Sequence, residues 1–172
     1  MLRSIESERL RLDPLRVGDA DEMVSVLADD SLYEFTGGEA PSLVTLQDRY
    51  RRQIAGSAEP NELWCNWIIR TKLDGRAVGF VQATVIGSTA HLAWTVGVRD
   101  QRRGLAAEAA AALGEWLGDN DIRRFEAHIH PRHVSSQKIA ERIGLSRTGR
   151  FDDDGEEIWT HDETVSPSSP LR

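Results

Sequence analysis

Apolar and polar positions follow two different periods along the chain. Arg9 to Leu12 alternates every second residue before Pro14 and predicts a first strand. Ala20, Met23, Val24 and Leu27 recur at helical spacing, and Asp19 with Glu22 three residues on supplies a capping-box start. Ser31 to Pro41, with Tyr33, Phe35 and Gly37-Gly38, reads as a loop. Leu43, Leu46, Tyr50 and Ile54 predict a second helix, capped by Ser42 and stopped at Gly56. Trp64 to Thr71, Val78 to Ile86 and His91 to Val98 read as successive strands, turned at Asp74-Gly75 and Gly87-Ser88. Leu105, Ala109, Ala112, Leu113 and Trp116 then keep a helical face in an alanine-rich segment. Arg124 to Ile129 is β-like, Ser135 to Ile143 is a short helix stopped by Gly144, and Ser146 to Phe151 and Glu157 to Thr160 are closing strands.

This order predicts a layered α/β fold with helices covering a largely antiparallel sheet. It reads as one domain over residues 1–164, followed by a Ser/Pro-rich, frayed tail at 165–172. A chain of 172 residues, 40% hydrophobic and 28% charged, suits an ordinary globular protein. No apolar run approaches the roughly 20 residues of a membrane helix. The first residues carry no apolar signal core, so a cytoplasmic location is expected. The net charge of -7 argues against a nucleic-acid binder and is compatible with an amine-bearing substrate. Cys65 is the only cysteine, which excludes an intrachain disulfide and thiolate metal clusters. Flanked by Trp64 and Asn66, it reads as a buried structural thiol.

The segment Gln101-Arg102-Arg103-Gly104-Leu105-Ala106 lies between a predicted strand and a predicted helix. First-turn amides of a helix lack internal partners, and the dipole is positive there. Gly104 permits close backbone approach, Ala106 is small, and Arg102 and Arg103 add charge. These properties suit an anion such as a pyrophosphate. The segment is neither a P-loop nor a dinucleotide fingerprint, because the following residues and the glycine spacing are wrong.

The same segment resembles the Gln/Arg-x-x-Gly-x-Gly/Ala signature of the GNAT superfamily of acetyl-CoA-dependent N-acetyltransferases. Further matches run in order through the chain. Glu8-Arg9-Leu10-Arg11-Leu12, Pro14-Leu15 and Asp19-Ala20 are similar to the start of the ribosomal-protein alanine acetyltransferase (Rim-type) branch. Trp67-x-Ile69, Gly75, Val78-Gly79 and Leu92-Ala93-Trp94 resemble its middle, and Ser136 to Leu145 resembles its closing helix and strand. The resemblance implies a mixed, mostly antiparallel sheet, splayed between the fourth and fifth strands, with about four helices around it. The pantetheine arm of acetyl-CoA would lie in the gap. Backbone at Val96, Gly97 and Val98 would hold the acyl carbonyl and pantetheine, and amides from Arg102 through Gly104, Leu105 and Ala106 to Ala107 would take the pyrophosphate. His133 stands where the family usually has Asn, and is expected to contact the cofactor. Ser136 matches a serine near the CoA sulfur and would protonate the departing thiolate. The implied activity is acetyl transfer to a primary amine, either a protein N-terminal α-amine or a small amine, with no metal and with room for a homodimer.

A free α-amine has a pKa near 8 and lysine one near 10.4, so an α-amine demands less of a base. Glu126, His91, His128, Glu34 and Glu39 are all conceivable bases, and water-mediated proton removal is a further route. Trp64, Tyr33 and Phe35 are candidates for lining an acceptor pocket. Two other readings compete. His128-x-His130-x-x-His133 resembles a metallohydrolase histidine box, although Arg132 stands where that box needs Asp. A non-catalytic module that senses acyl-CoA is the other. Ser135-x-x-Lys138 mimics a serine acylase pair, but its partner motifs do not occur.

Overall fold

The computed structural model describes residues 2–161; the expected tail at 165–172 lies outside them. The strands are β1 (Ile5–Glu6), β2 (Leu10–Pro14), β3 (Glu62–Thr71), β4 (Ala77–Ile86), β5 (Thr89–Val96), β6 (Arg124–Ile129), β7 (Leu145–Phe151) and β8 (Glu157–His161). The helices are α1 (Ala20–Val26), α2 (Leu43–Ala55), α3 (Leu105–Asp119) and α4 (Val134–Arg142). All eight strands form one sheet in the order β1-β2-β3-β4-β5-β6-β8-β7. Every neighbouring pair is antiparallel except β5–β6, which is parallel. This is the mixed α/β layer fold that the sequence predicts. No helix among the described residues is long and apolar enough to cross a membrane.

Side-chain alternation divides the sheet into two faces. Leu92 and Val96 of β5, with Val81 and Ala83 of β4, pack on Leu105, Ala109, Leu113 and Leu117 of α3. The opposite face meets α1 and α2 through Ile68, Ala77 and Phe80, against Met23, Leu46 and Tyr50. Ala127, Ile129 and Trp159 form a third cluster with Ala140 of α4. Cys65 is buried in the α3 layer, and that burial pushes its thiol up to about 11, as a structural thiol requires.

Three local expectations are corrected. A short strand, β1, precedes the first expected one and pairs Ile5 with Leu12. Asp19 stands at the N-cap of α1, but its side chain makes no cap bond there; it accepts the Arg16 N–H at 2.8 Å and closes a 3-10 turn over Val17–Asp19. The reason is tertiary. Arg70 of β3 donates to Asp19 at 2.9 Å and to Glu22 at 2.7 Å, and Glu22 also accepts the Ala77 N–H at 2.7 Å. Both acids of the apparent capping box therefore fasten α1 to the sheet. Finally, β5 stops at Val96 instead of running to Val98, and a 3-10 turn occupies Val98–Asp100. The chain turns where Gly97 meets the end of α1: a Cβ on Gly97 would stand 2.9 Å from both the carbonyl oxygen and Cγ1 of Val26.

Candidate active site

The parallel pairing of β5 and β6 covers only Thr89↔Arg124, Ala90↔Phe125 and His91↔Glu126. Beyond His91 and Glu126 the strands diverge, at the position expected between the fourth and fifth strands (β1 shifts the count by one). Unpaired backbone along such an edge is a ready partner for a ligand's amides. A cleft of about 850 Å³ opens there. Its walls include Trp94, Thr95 and Val96 from β5, Ala127 to Ile129 from β6, the start of α3, and Ser136, Ile139 and Arg142 from α4.

At one end lies the segment 101–107. Gly104 has φ 76° and stands at the N-cap of α3, and the first turn, Gly104 to Ala107, lines the cleft. Arg102, at φ 61°, is exposed there. Of the residues predicted to hold cofactor, Val96, Gln101, Arg102, Gly104, Leu105, Ala106, Ala107, His133 and Ser136 line the cleft. Gly97, Val98 and Arg103 are not among its lining residues. Gln101 donates from Nε2 to the Val96 carbonyl at 3.0 Å, which already occupies that carbonyl. Arg103 is drawn away by Asp100, donating to its Oδ1 at 2.8 Å.

Asp100 organises the turn. It is 4% exposed and also accepts two bonds from Arg76, at 2.7 and 3.0 Å. Those bonds, with the nearby charge of Arg103, hold its carboxyl below the usual aspartate range. Asp100→Ala is expected to cost about 1–2 kcal/mol of stability by removing the carboxylate that holds the Arg76 fork and Arg103, measured by urea denaturation at neutral pH. The linkage sign follows from a depressed folded pKa. The Asp100 contribution is complete above the unfolded value near 4 and is lost as pH falls through the lower folded value. The stability gap between wild type and variant should therefore close in acid; a gap constant down to the lowest pH would contradict the assignment.

A second brace joins α3 to the N-terminal strands. Glu108 accepts from the Arg9 backbone N–H and Nε, both at 2.7 Å, and from Ser7 Oγ at 2.8 Å. Arg9 Nη1 also reaches the Arg103 carbonyl at 3.1 Å. The guanidinium groups of Arg9 and Arg142 both lie close to Gly104. Lys138 and Arg142, four apart on α4, line the cleft beside Arg102. Neither was read from sequence as a cofactor contact; the signal available was their helical spacing.

Ser136 Oγ accepts the Trp94 indole N–H at 3.1 Å, bridging α4 and β5 across the opening. An indole nitrogen only donates, so the serine retains its own O–H for another acceptor. His133 stands at the N-cap position of α4 without a side-chain cap bond, and stacks on Phe35 at 4.6 Å. Burial, and then the neighbouring His130, lower its pKa against the opposing influence of Glu34, so the ring is neutral at pH 7. Phe35 lines the cleft, while Trp64 and Tyr33 do not; Tyr33 donates instead to the Leu27 carbonyl at 2.9 Å.

The other mouth of the cleft opens on the α1–α2 face. His91, Glu126 and His128 project there, because their neighbours Leu92, Ala127 and Ile129 pack on the opposite side. His128 bonds to Glu126 at 2.9 Å and to Asp152 at 2.6 Å. Burial opposes its charge, but these two carboxylates outweigh it and raise its pKa. Of the proposed bases, only His128 lines the cleft; Glu126, His91, Glu34 and Glu39 do not. The box His128/His130/His133 is not assembled: β6 ends at Ile129, and His130 and His133 turn to Phe35 at 5.3 and 4.6 Å. Glu156, missed in the sequence, does line the cleft. Its carboxylate has no hydrogen bond or ion pair among the described residues. Burial first, and then Asp152, raise its pKa above the ordinary glutamate value. Its place in the acidic run 152–157 hides it, because nothing local distinguishes it from Asp153 or Asp154.

A family model described as an acetyltransferase (GNAT) domain matches residues 9–146. No curated protein matches the chain. Among solved structures, a Vibrio cholerae protein provisionally described as a ribosomal-protein-serine acetyltransferase aligns with TM-score 0.75 and 21% identity, over 93% of this chain and 98% of that one. The microcin C7 self-immunity acetyltransferase MccE, in complex with acetyl-CoA and AMP, aligns with TM-score 0.76 and 16% identity, over 90% and 92%. AAC(6')-Ib, in complex with paromomycin and acetyl-CoA, aligns with TM-score 0.75 and 18% identity, over 91% and 95%. At these identities the likeness is one of fold.

Proposed function

The chain belongs to the GNAT acetyltransferase family, and from that premise we propose that it transfers an acetyl group from acetyl-CoA to a primary amine by direct attack in a ternary complex. One observation carries the reading: the β5–β6 gap leads from the α3 N-terminus on one face to a carboxylate-bearing mouth on the other. A donor entering over Gly104 would place its pyrophosphate against the first-turn amides, with Arg102, Lys138 and Arg142 adding charge. Its pantetheine amides would pair with the free edges of β5 and β6. An amine entering from the α1–α2 face would meet Glu156.

The chemistry balances with these groups. The neutral amine attacks the thioester carbonyl, and the open edge of β5 at Val96 would offer a backbone N–H to the oxyanion that forms. As the carbon–sulfur bond breaks, the departing thiolate accepts a hydrogen bond from Ser136 O–H and leaves as the anion, to take its proton from solvent. The proton shed by nitrogen passes to Glu156, whose raised pKa makes it a stronger base than an ordinary glutamate.

The acceptor we favour is a protein N-terminal α-amine. Its lower pKa leaves a larger neutral fraction than a lysine would, and the Rim-type resemblance points the same way. Screening acetyl-CoA thiol release against N-terminal peptides, lysine peptides, polyamines and aminoglycosides tests this directly. The expected result is turnover that is fastest with α-amine peptides. Turnover confined to aminoglycosides or polyamines would assign a small-amine acceptor. Tight acetyl-CoA binding with no thiol release from any amine would leave the sensing module as the function.

A further inference from the structure

We propose that His91, Glu126 and His128 form a binding site for one zinc-class divalent cation at the point where β5 and β6 part. The site does not depend on acyl transfer. His91 and Glu126 are the last partners in the parallel register, and His128 follows two residues later on the same face. Three ligands thus come from two paired strands, which hold them more firmly than loops would. His91 Nδ1 lies 3.5 Å from Glu126 Oε1, and His128 Nε2 lies 2.9 Å from the same oxygen. All three donor atoms lie within 4.8 Å of one another. Bonds of about 2.0–2.1 Å in a tetrahedral site put ligand atoms roughly 3.4 Å apart, so the side chains need only small adjustments.

The support around the ligands fits the same assignment. Asp152 Oδ2 lies 2.6 Å from His128 Nδ1, which fixes the ring and aims Nε2 at the site. A carboxylate on the far nitrogen is the usual support of a metal-ligating imidazole. Two imidazoles and one carboxylate suit a borderline ion such as zinc better than magnesium, which favours oxygen ligands. Side-chain exposures of 37%, 18% and 30% leave a route of entry. A rival set, His128 with Asp152 and Glu156, shares His128 and has only one imidazole, so one ion is expected in total. An ion at His91, Glu126 and His128 would bolt β5 to β6 just before they diverge, which fixes the apex of the opening.

Calorimetric titration of zinc into the purified full-length protein, with magnesium as comparison, tests the site. The expected result is one equivalent of zinc and no detectable magnesium binding. Zinc affinity should fall at least 100-fold in both His91→Gln and His128→Ala, and about 10–100-fold in Asp152→Asn. Saturating zinc should raise the melting temperature of the wild type by about 5 °C or more. Circular dichroism of the exposed-site variant His91→Gln establishes that loss of binding is not loss of fold. Zinc affinity weaker than about 0.1 mM, or undiminished in His91→Gln, would overturn the proposal. So would loss of binding only in His130→Ala or His133→Ala. Acetyl-CoA affinity, measured on the same samples, keeps the fate of the acetyltransferase reading separate.

Discussion

Acetyl-CoA affinity should fall at least 100-fold in Gly104→Trp, with the chain still folded. Gly104 has φ 76° and ψ 6°, a left-handed conformation that costs an L-residue about 1–2 kcal/mol. That cost is local and well within what a domain of this size survives. The larger effect is occlusion. A Cβ at this position would point between Arg9 Nη2, at 3.6 Å, and Arg142 Nη1, at 3.8 Å, so an indole would fill the space before the first-turn amides of α3. A 100-fold loss corresponds to about 2.7 kcal/mol, comparable to losing one or two charge-assisted hydrogen bonds to a phosphate. Gly104→Ala separates strain from blockage. It carries the same backbone penalty, yet its methyl would make only ordinary contacts, so its affinity should drop far less. Calorimetry with circular dichroism on both variants decides the matter; unchanged affinity in Gly104→Trp would remove segment 101–107 from the donor site.

The legible parts of this molecule are those set by local periodicity. Helix α2 runs from the Ser42 cap, whose hydroxyl accepts the Thr45 N–H, to Gly56, as the sequence reads. The strands β3, β4 and β6 and the glycine at the start of α3 are equally local. What escaped was decided by partners distant in sequence. Asp19 and Glu22 spell a capping box, but Arg70, about fifty residues away, claims both. Arg103 reads as a free cation beside an anion site until the buried Asp100, already held by Arg76, is seen to bind it. His128, His130 and His133 suggest a ligand set by their spacing alone; β6 ends at Ile129, as read, so only His128 stays on the strand and the last two rings turn to Phe35. The mouth proposed for the acceptor was least legible of all. It is assembled from the loop before α2, two strand faces and the turn before β8, and no window of sequence contains it.

Glu156→Gln should lower the turnover number about 100-fold at neutral pH while leaving acetyl-CoA affinity unchanged. Glutamine preserves the shape of the side chain and removes its capacity to take a proton. Because burial and Asp152 raise the Glu156 pKa, the wild-type rate should fall in acid through a value above the ordinary glutamate pKa of about 4.3. That limb should vanish in the variant. Stability supplies the control that a merely structural role would fail. A carboxyl with a raised folded pKa favours the fold only while protonated, and that advantage is lost as pH rises through the folded value. At neutral pH the ionised Glu156 therefore opposes folding slightly, and Glu156→Gln should melt at the same temperature as the wild type or higher. Loss of rate with retained or improved stability would mark a group kept for chemistry at some expense to the fold. An unaltered rate at neutral pH would transfer proton removal to water, and a lowered melting temperature would recast Glu156 as a packing residue of the turn before β8.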